Sequence, residues 1–328
     1  MTLNNNLCIN ISIGTPNKNY YLFLKFNSSI FWLNKESYDK KKSTTSKIIK
    51  KLINNKEGIN GNLINDKINI GNINLNNITF ISAESGIPSS FKKFNSIISG
   101  SFGLFLNNNN QLINYLNKPI ITLQIKGLIS SSSSLSLPVG IGQIIFGDEN
   151  LNECINYQYI PNNQWSTAFL YIQIGENENN SIISPGGIGY KLPKIKIIEN
   201  QFYMYGPKNK IDEIAKKLNI SIPNKKTDFY ILPCEKKKNL PNIKFNIGIM
   251  GGKTVNIILK PNDYIETFTE EKDGNPPTNK CRLYFLSNEL IEESNNLYWT
   301  MGQSFMFNRC ISVNLKEQTI GFGEKKIN

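Results

Sequence analysis

The chain has 328 residues, of which 39% are hydrophobic and 19% charged, so it is long enough to bury one or two sizeable cores. Its formal net charge is +12, and it contains no histidine, which excludes Ser-His and Cys-His catalytic pairs and histidine metal sites. Its five cysteines show no CxxC zinc spacing and no phosphate-binding P-loop is present, so we predict no metal and no cofactor.

The positive charge is spread along the chain in short lysine clusters. Only Arg282 and Arg309 are arginines, whereas specific nucleic-acid sites favour arginine forks combined with aromatic stacking. We therefore predict a lysine-rich, solvated surface and no specific nucleic-acid partner. No run approaches the ~18 apolar residues of a membrane-spanning helix, so no membrane span is predicted, and we expect a monomer.

The first predicted elements are two strands separated by a polar loop. Gly14-Thr15-Pro16 indicates a turn, and the run from Tyr20 to Leu24 is apolar and aromatic, which is typical of a strand. Asn27-Ser28-Ser29 indicates a loop, and Phe31-Trp32-Leu33 indicates a second strand.

This segment resembles the first catalytic motif of the pepsin-like aspartic proteases. That motif reads Ile-Gly-Thr-Pro, an apolar strand, Asp-Thr-Gly-Ser-Ser, an apolar residue and Trp, and residues 13 to 32 follow it without a gap. The matching residues are Ile13, Gly14, Thr15, Pro16, Ser28, Ser29 and Trp32. The family's Asp-Thr-Gly is replaced by Lys25, Phe26 and Asn27, so a lysine stands where a catalytic aspartate is expected.

The family's flap, a β-hairpin with a Tyr-Gly-Ser/Thr-Gly turn, falls between Ser43 and the strand that begins at Asp66. Here residues 53 to 58 read Ile-Asn-Asn-Lys-Glu-Gly, so we expect a hairpin without its tyrosine. By resemblance, the cleft and flap candidates are Ser28, Ser29, Trp32, Asn54, Asn55, Gly58 and Gly187.

The second catalytic motif of the family is apolar-apolar-Asp-Ser/Thr-Gly-Thr/Ser, with a proline nine positions after the aspartate. Ile182-Ile183-Ser184-Pro185-Gly186-Gly187 precedes Pro193 at that spacing, which puts Ser184 in the place of the aspartate and Pro185 and Gly186 after it. None of the seven aspartates lies in an Asp-Thr/Ser-Gly triplet.

The resemblance covers nearly the whole chain. Other matching stretches are residues 66–71, 100–104, 144–147, 240–245, 261–265, 299–305 and 321–322. It implies a mainly β, bilobal pepsin-like acid protease fold, with two six-stranded-type lobes joined by an interlobe sheet and few short helices. We predict an N-terminal lobe over residues 1–155 and a C-terminal lobe over 156–328. Helical periodicity is clearest at Ile211, Ile214, Ala215 and Leu218.

An aspartic protease needs two carboxylates close enough to share one proton. Lys25 and Ser184 cannot supply them, so we predict a catalytically inactive homologue whose cleft binds an extended polypeptide. One alternative is an active aspartic endopeptidase whose carboxylate pair lies elsewhere; another is a scaffold without cleft function. A Ser-Lys pair of Ser184 and Lys25 would require a lysine that is neutral near pH 7, and a lysine that fills the space of the lost pair is the simpler interpretation.

The resemblance also implies a disulfide between Cys234 and Cys281. Two of the remaining cysteines, Cys8, Cys154 and Cys310, can pair, and the sequence does not choose between pairing and burial as small apolar residues. The family is secreted, which favours the secretory pathway, although the first residues show no signal peptide. The compartment is left open.

Overall fold

The computed structural model describes residues 2–3, 6–26, 28–53, 57–94, 97–104, 111–129, 139–161, 165–177, 181–183, 193–223, 229–248, 252–270, 278–287 and 298–326. The chain divides into two compact units, residues 1–119 with 130–139 and residues 120–129 with 140–328. The lobe boundary predicted between residues 155 and 156 stays a prediction.

The first unit is built on one eight-stranded sheet. Its strands are β1 (Thr2–Leu3), β2 (Asn6–Ile13), β3 (Lys18–Lys25), β4 (Phe31–Asn34), β5 (Lys47–Leu52), β6 (Asn60–Ile70), β7 (Ile73–Ser85) and β8 (Gly100–Gly103). They lie in the order β1-β2-β3-β8-β4-β7-β6-β5. Helix α1 (Ser89–Lys92) and 3-10 helices at Lys40–Lys42 and Gln111–Tyr115 complete the unit.

The strands of the first unit follow from alternating burial along the chain. In β6 buried and half-buried residues largely alternate, because successive side chains point to opposite faces of the sheet. Gly71, at a φ of +57°, lies in the tight turn that joins β6 to β7, and Ile70 pairs with Ile73 across it. A core cluster beneath this sheet contains Phe23, Trp32, Ile59, Ile81, Ala83, Phe91 and Ile98.

The second unit contains three further sheets. Its strands are β9 (Ile120–Ile129), β10 (Val139–Phe146), β11 (Cys154–Pro161), β12 (Ser166–Ile174), β13 (Ser181–Ile183), β14 (Lys194–Ile197), β15 (Met204–Gly206), β16 (Ile231–Leu232), β17 (Ile243–Gly248), β18 (Thr254–Leu259), β19 (Ile265–Glu270), β20 (Thr278–Leu283), β21 (Phe285–Ser287), β22 (Tyr298–Met301), β23 (Arg309–Asn314) and β24 (Thr319–Lys325). Helices are α2 (Lys208–Lys217), α3 (Pro261–Tyr264), α4 (Gln303–Met306) and a 3-10 helix at Cys234–Asn239.

The largest sheet of the second unit follows the path β18-β17-β12-β14-β22-β15-β21, with β13 paired to β12 beside that path. The others run β10-β9-β23-β24-β11 and β16-β20-β19. The described residues are thus mainly β, as predicted. Where the resemblance implied six-stranded lobes, the main sheet of each unit has eight described strands, because short strands such as β1 and β13 extend it.

Helix α2 confirms the helical periodicity predicted from the sequence. Ile211, Ile214 and Ala215 are buried on one face, and Lys208 forms an ion pair with Asp212 one turn later at 2.6 Å. None of the helices in the described ranges is long and apolar enough to cross a membrane.

Two disulfides lie in the second unit. The predicted bond between Cys234 and Cys281 is present, which confirms that expectation. A second bond joins Cys154 on β11 to Cys310 on β23 and thereby answers the pairing that the sequence left open. Cys8 belongs to neither bond, and its Sγ lies 3.7 Å from the carbonyl oxygen of Asn6.

Candidate functional site

The polar loop predicted after Leu24 lies where three strands of the first unit meet. Strand β8 runs between β3 and β4, parallel to β3 and antiparallel to β4. Because β3 ends at Lys25 and β4 begins at Phe31, the connection must pass over the end of β8. We call residues 25–30 the first loop.

The glycine at the end of β8 makes this arrangement possible. A Cβ atom added to Gly103 would lie 2.3 Å from the carbonyl oxygen of Ser28, so any side chain there would push the first loop away. The N–H of Leu104 donates to the Lys25 carbonyl oxygen at 2.8 Å, and the Ser28 hydroxyl accepts from the N–H of Ile30 at 2.9 Å. The first loop is therefore held by its own backbone and by β8.

Lys25 lies opposite Gly103 in the pairing of β3 with β8 and is half-buried. Its Nζ donates to Asn6 Oδ1 at 3.5 Å and lies 5.9 Å from the centre of the Phe23 ring. An ammonium group offers only donors, so it cannot accept a proton from water as a carboxylate does. Phe26, the next residue, is completely buried.

The remaining predicted site residues divide into three groups. Ser29 and Gly58 are exposed, and Gly58 has a φ of +74°. Ser28 and Trp32 are buried, and Trp32 packs edge-on against Phe91 with 4.8 Å between ring centres, so it is a core residue. The others lie outside the described residues: Asn27, Asn54, Asn55, Ser184, Pro185, Gly186 and Gly187.

A second strand arrangement of the same kind occurs in the second unit. Strand β22 runs between β14 and β15, parallel to the first and antiparallel to the second. Residues 198–203, here called the second loop, connect β14 to β15. A Cβ atom added to Gly302, directly after β22, would lie 2.4 Å from the carbonyl oxygen of Tyr203.

The second loop carries a buried carboxylate. Glu199 is 3% exposed, and its backbone carbonyl accepts a hydrogen bond at 2.9 Å from the side-chain amide of Gln303, which is itself buried. At the far end of the loop, the Tyr203 hydroxyl donates to Glu266 at 3.3 Å. Burial, together with the negative charge of Glu266, raises the pKa of Tyr203 above its ordinary value.

Sequence reasoning did not single out the second loop. The signal that points to it is Pro207, which follows Gly206 and lies nine positions after Ile198, the same spacing that Pro193 has from Ser184. Pro193 and Pro207 both fit the family's spacing of nine positions, the first counted from Ser184 and the second from Ile198.

The fold matches that of known aspartic proteinases. A crystal structure of the aspartic proteinase from Irpex lacteus superimposes with a TM-score of 0.68, covering 98% of this chain and 95% of that chain at 15% identity, which shows a shared pepsin-like fold. The family model described as eukaryotic aspartyl protease matches residues 7–325. The chain belongs to the eukaryotic aspartyl protease family.

Two curated relatives carry the name plasmepsin VII. The protein from Plasmodium falciparum (isolate NF54) is 32% identical over 120 residues, and that from Plasmodium berghei (strain Anka) is 29% identical over 131 residues. These matches cover 34% and 38% of this chain. Each spans 24% of the relative, so the chain matches about a quarter of their length.

Proposed function

We propose that this member of the family is catalytically inactive and that its cleft binds an extended polypeptide. The observation that carries the proposal is Lys25, which stands at the end of β3 where the family motif has its first aspartate. No residue of the first loop is a carboxylate: Phe26, Asn27, Ser28, Ser29 and Ile30 follow. The proposal does not depend on Ser184.

Without that aspartate the site lacks one of the two carboxylates that the family reaction requires. In the family reaction one carboxylate accepts a proton from a water while its partner donates to the scissile carbonyl, so both must share a proton. A lysine can neither replace the base nor share the proton. Loss of one member of a catalytic unit typically lowers the rate by about 10⁴ to 10⁶. We therefore expect no measurable peptidase activity.

Peptide binding is the part of the family's chemistry that does not need the carboxylates. An extended peptide is held by main-chain hydrogen bonds to strand edges and loops, with side-chain pockets adding specificity. Ser29 and the turn residue Gly58 are exposed in the first unit, so both can be reached by a ligand. The replacement of the catalytic aspartate leaves these two residues unchanged.

Binding is tested with a heptapeptide library and the purified, folded protein. We expect a subset of peptides to bind the native chain, and Ser29→Trp to weaken their binding at least about tenfold, a change of about 1.4 kcal/mol. Glu317→Trp, which introduces the same side chain at an exposed position of the second unit, should leave binding unchanged. If no peptide binds, or if both variants bind equally well, the binding proposal fails and a scaffold role takes its place.

A further inference from the structure

Strands β3, β8, β4 and β7 hold both ends of the first loop in fixed positions, and we call these four paired strands the first frame. Leu24, the last residue before the loop, lies opposite Phe102 on β8. Trp32, shortly after the loop, lies opposite Ser101 on the same strand and pairs with Ile81 on its other side. The loop is thus the connection between two strands that flank a third, and Gly103 follows directly after the residue paired with Leu24.

In the second unit, β14, β22, β15 and β21 pair in the same order and with the same register as the strands of the first frame. Ile197 lies opposite Met301 on β22, and Tyr205 lies opposite Thr300, the residue before it. Tyr205 also pairs with Leu286 in parallel orientation, as Trp32 does with Ile81. Gly302 follows Met301 just as Gly103 follows Phe102. Every strand of the first frame therefore has a counterpart that runs in the same direction.

The two loops also agree in length and in how closely they approach the central strand. The span from Leu24 to Trp32 contains as many residues as the span from Ile197 to Tyr205. Added Cβ atoms would strike loop carbonyl oxygens at 2.3 Å from Gly103 and at 2.4 Å from Gly302. Both glycines lie at the same register position, and a side chain at either one would collide with its loop. The two units therefore contain the same strand–loop–strand arrangement.

We infer that the second half of the ancestral catalytic site is the second loop, residues 198–203, with Ile198 in the place that corresponds to Lys25 and Glu199 in the place of Phe26. This inference rests on the proposed function, because it identifies the other half of the same site. It replaces Ser184 with Ile198 as the counterpart of Lys25.

Two observations argue against the earlier position. The strand that precedes Ser184 is β13, which pairs with β12, whereas the strand that leads into the second loop is β14, beside β22. Pro193 precedes β14, so it lies before the strand that carries the loop and not after the loop. Pro207 lies after the loop and directly before α2, where its fixed φ suits the start of a helix.

The assignment changes the chemistry expected of the second half of the site. Ile198 is half-buried and apolar, so it contributes neither an acid nor a base. Glu199 brings a carboxylate, but one residue later and 3% exposed, in a place that the first loop fills with the completely buried Phe26. The second loop therefore contains an acidic residue, but one position after the place that corresponds to Lys25.

The test rebuilds both candidate sites in the full chain. One variant carries Asp-Thr-Gly at residues 25–27 and at residues 198–200. A matched variant carries the same first triplet and Ser184→Asp/Pro185→Thr, which completes a triplet with Gly186. A third, Lys25→Asp/Ile198→Asp, changes only two half-buried positions and guards against failure of the first to fold. Each is assayed for cleavage of denatured casein and for a pepstatin-induced rise in melting temperature.

We expect a variant rebuilt at residue 198 to gain pepstatin-sensitive cleavage at least about tenfold above the native protein, and the variant rebuilt at 184 to gain none. Gain by the 184 variant, or neither cleavage nor pepstatin stabilisation in both folded 198 variants, overturns the assignment. The native chain in the same assay tests the proposed function separately: its cleavage of casein overturns inactivity without deciding which loop is the second half.

Discussion

Asp66 shows how a single buried charge is held in the first unit. It is 1% exposed, and its carboxylate accepts hydrogen bonds from Tyr38 at 2.7 Å, Ser43 at 3.1 Å and Thr45 at 2.5 Å. The backbone N–H of Lys67 donates to it as well, at 2.8 Å. Hydrogen bonds offset the cost of burying a charge, so this carboxylate links the strand β6 to the segment after β4.

We predict that Asp66→Ala lowers the free energy of unfolding by about 3 kcal/mol, because it removes the buried acceptor that the hydroxyl groups of Tyr38, Ser43 and Thr45 share. Urea unfolding monitored by circular dichroism measures the loss. Glu317→Ala, at an exposed position, is the control and should change the stability by no more than about 0.5 kcal/mol. Equal effects of the two substitutions would contradict the structural role of Asp66.

Tyr20 makes the free energy of unfolding depend on pH in the alkaline range. Burial, reinforced by the negative charges of Asp66 and Asp39, raises its pKa to about 12, against about 10 in the unfolded chain. The folded state therefore holds this proton more tightly. The resulting stability is fully present below pH about 10 and is lost as the pH rises towards about 12.

We predict that Tyr20→Phe reduces the fall in unfolding free energy between pH about 10 and about 12, because phenylalanine has no proton to lose. The fall should persist in part, since burial also raises the pKa of Tyr38. Urea unfolding of both proteins across this range provides the measurement. An unchanged pH dependence in the variant would show that Tyr20 is not protected from ionisation by the fold.

Among the elements, Gly103 and Gly302 are two positions where the close approach of a loop requires glycine. We predict that Gly103→Ala and Gly302→Ala each destabilise the protein by at least about 2 kcal/mol more than Gly58→Ala. A Cβ at Gly58 meets open space and costs only the strain of its positive φ. Thermal and urea unfolding of the three variants test this order, and a similar loss in all three would refute the close approach.

The sequence predicts the first loop well and the second poorly, for a physical reason. The first motif is contiguous: turn, strand, loop and Trp32 follow one another without a gap, so Lys25 can be assigned by counting. The second loop is defined by the parallel pairing of β14 with β22, strands about a hundred residues apart in sequence. Such non-local pairing leaves no local pattern, and a proline at the right spacing is then ambiguous between Pro193 and Pro207.

The same distinction explains the helices and disulfides. Helix α2 was predicted because its apolar residues recur within one turn of each other, which is local information. The Cys234–Cys281 bond was implied by the family resemblance. The bond between Cys154 and Cys310 depends on β11 and β23 each pairing with β24, and the sequence alone does not reveal this.

At the scale of the whole molecule, the two disulfides should differ in what they contribute. The Cys154–Cys310 bond spans 156 residues and the Cys234–Cys281 bond spans 47. In the chain-entropy model these loops contribute about 5 and about 4 kcal/mol, because a longer closed loop restricts the unfolded chain more.

We predict that Cys154→Ala/Cys310→Ala destabilises the protein by about 1 kcal/mol more than Cys234→Ala/Cys281→Ala. Urea unfolding of both double variants gives the comparison, and native protein unfolded in reducing buffer provides the control without either bond. A larger loss from the shorter loop would mean that strain or packing at the bonds outweighs the loop entropy.

Cleavage of a broad peptide library by the purified native protein, at acidic and at neutral pH and with and without pepstatin, distinguishes an inactive member of the family from an active one. We expect no cleavage under either condition, because we propose that Lys25 stands where the family motif has its first aspartate. Pepstatin-sensitive cleavage by the native chain would contradict this expectation, since a pair of carboxylates would then have to act in a site that the first loop does not supply.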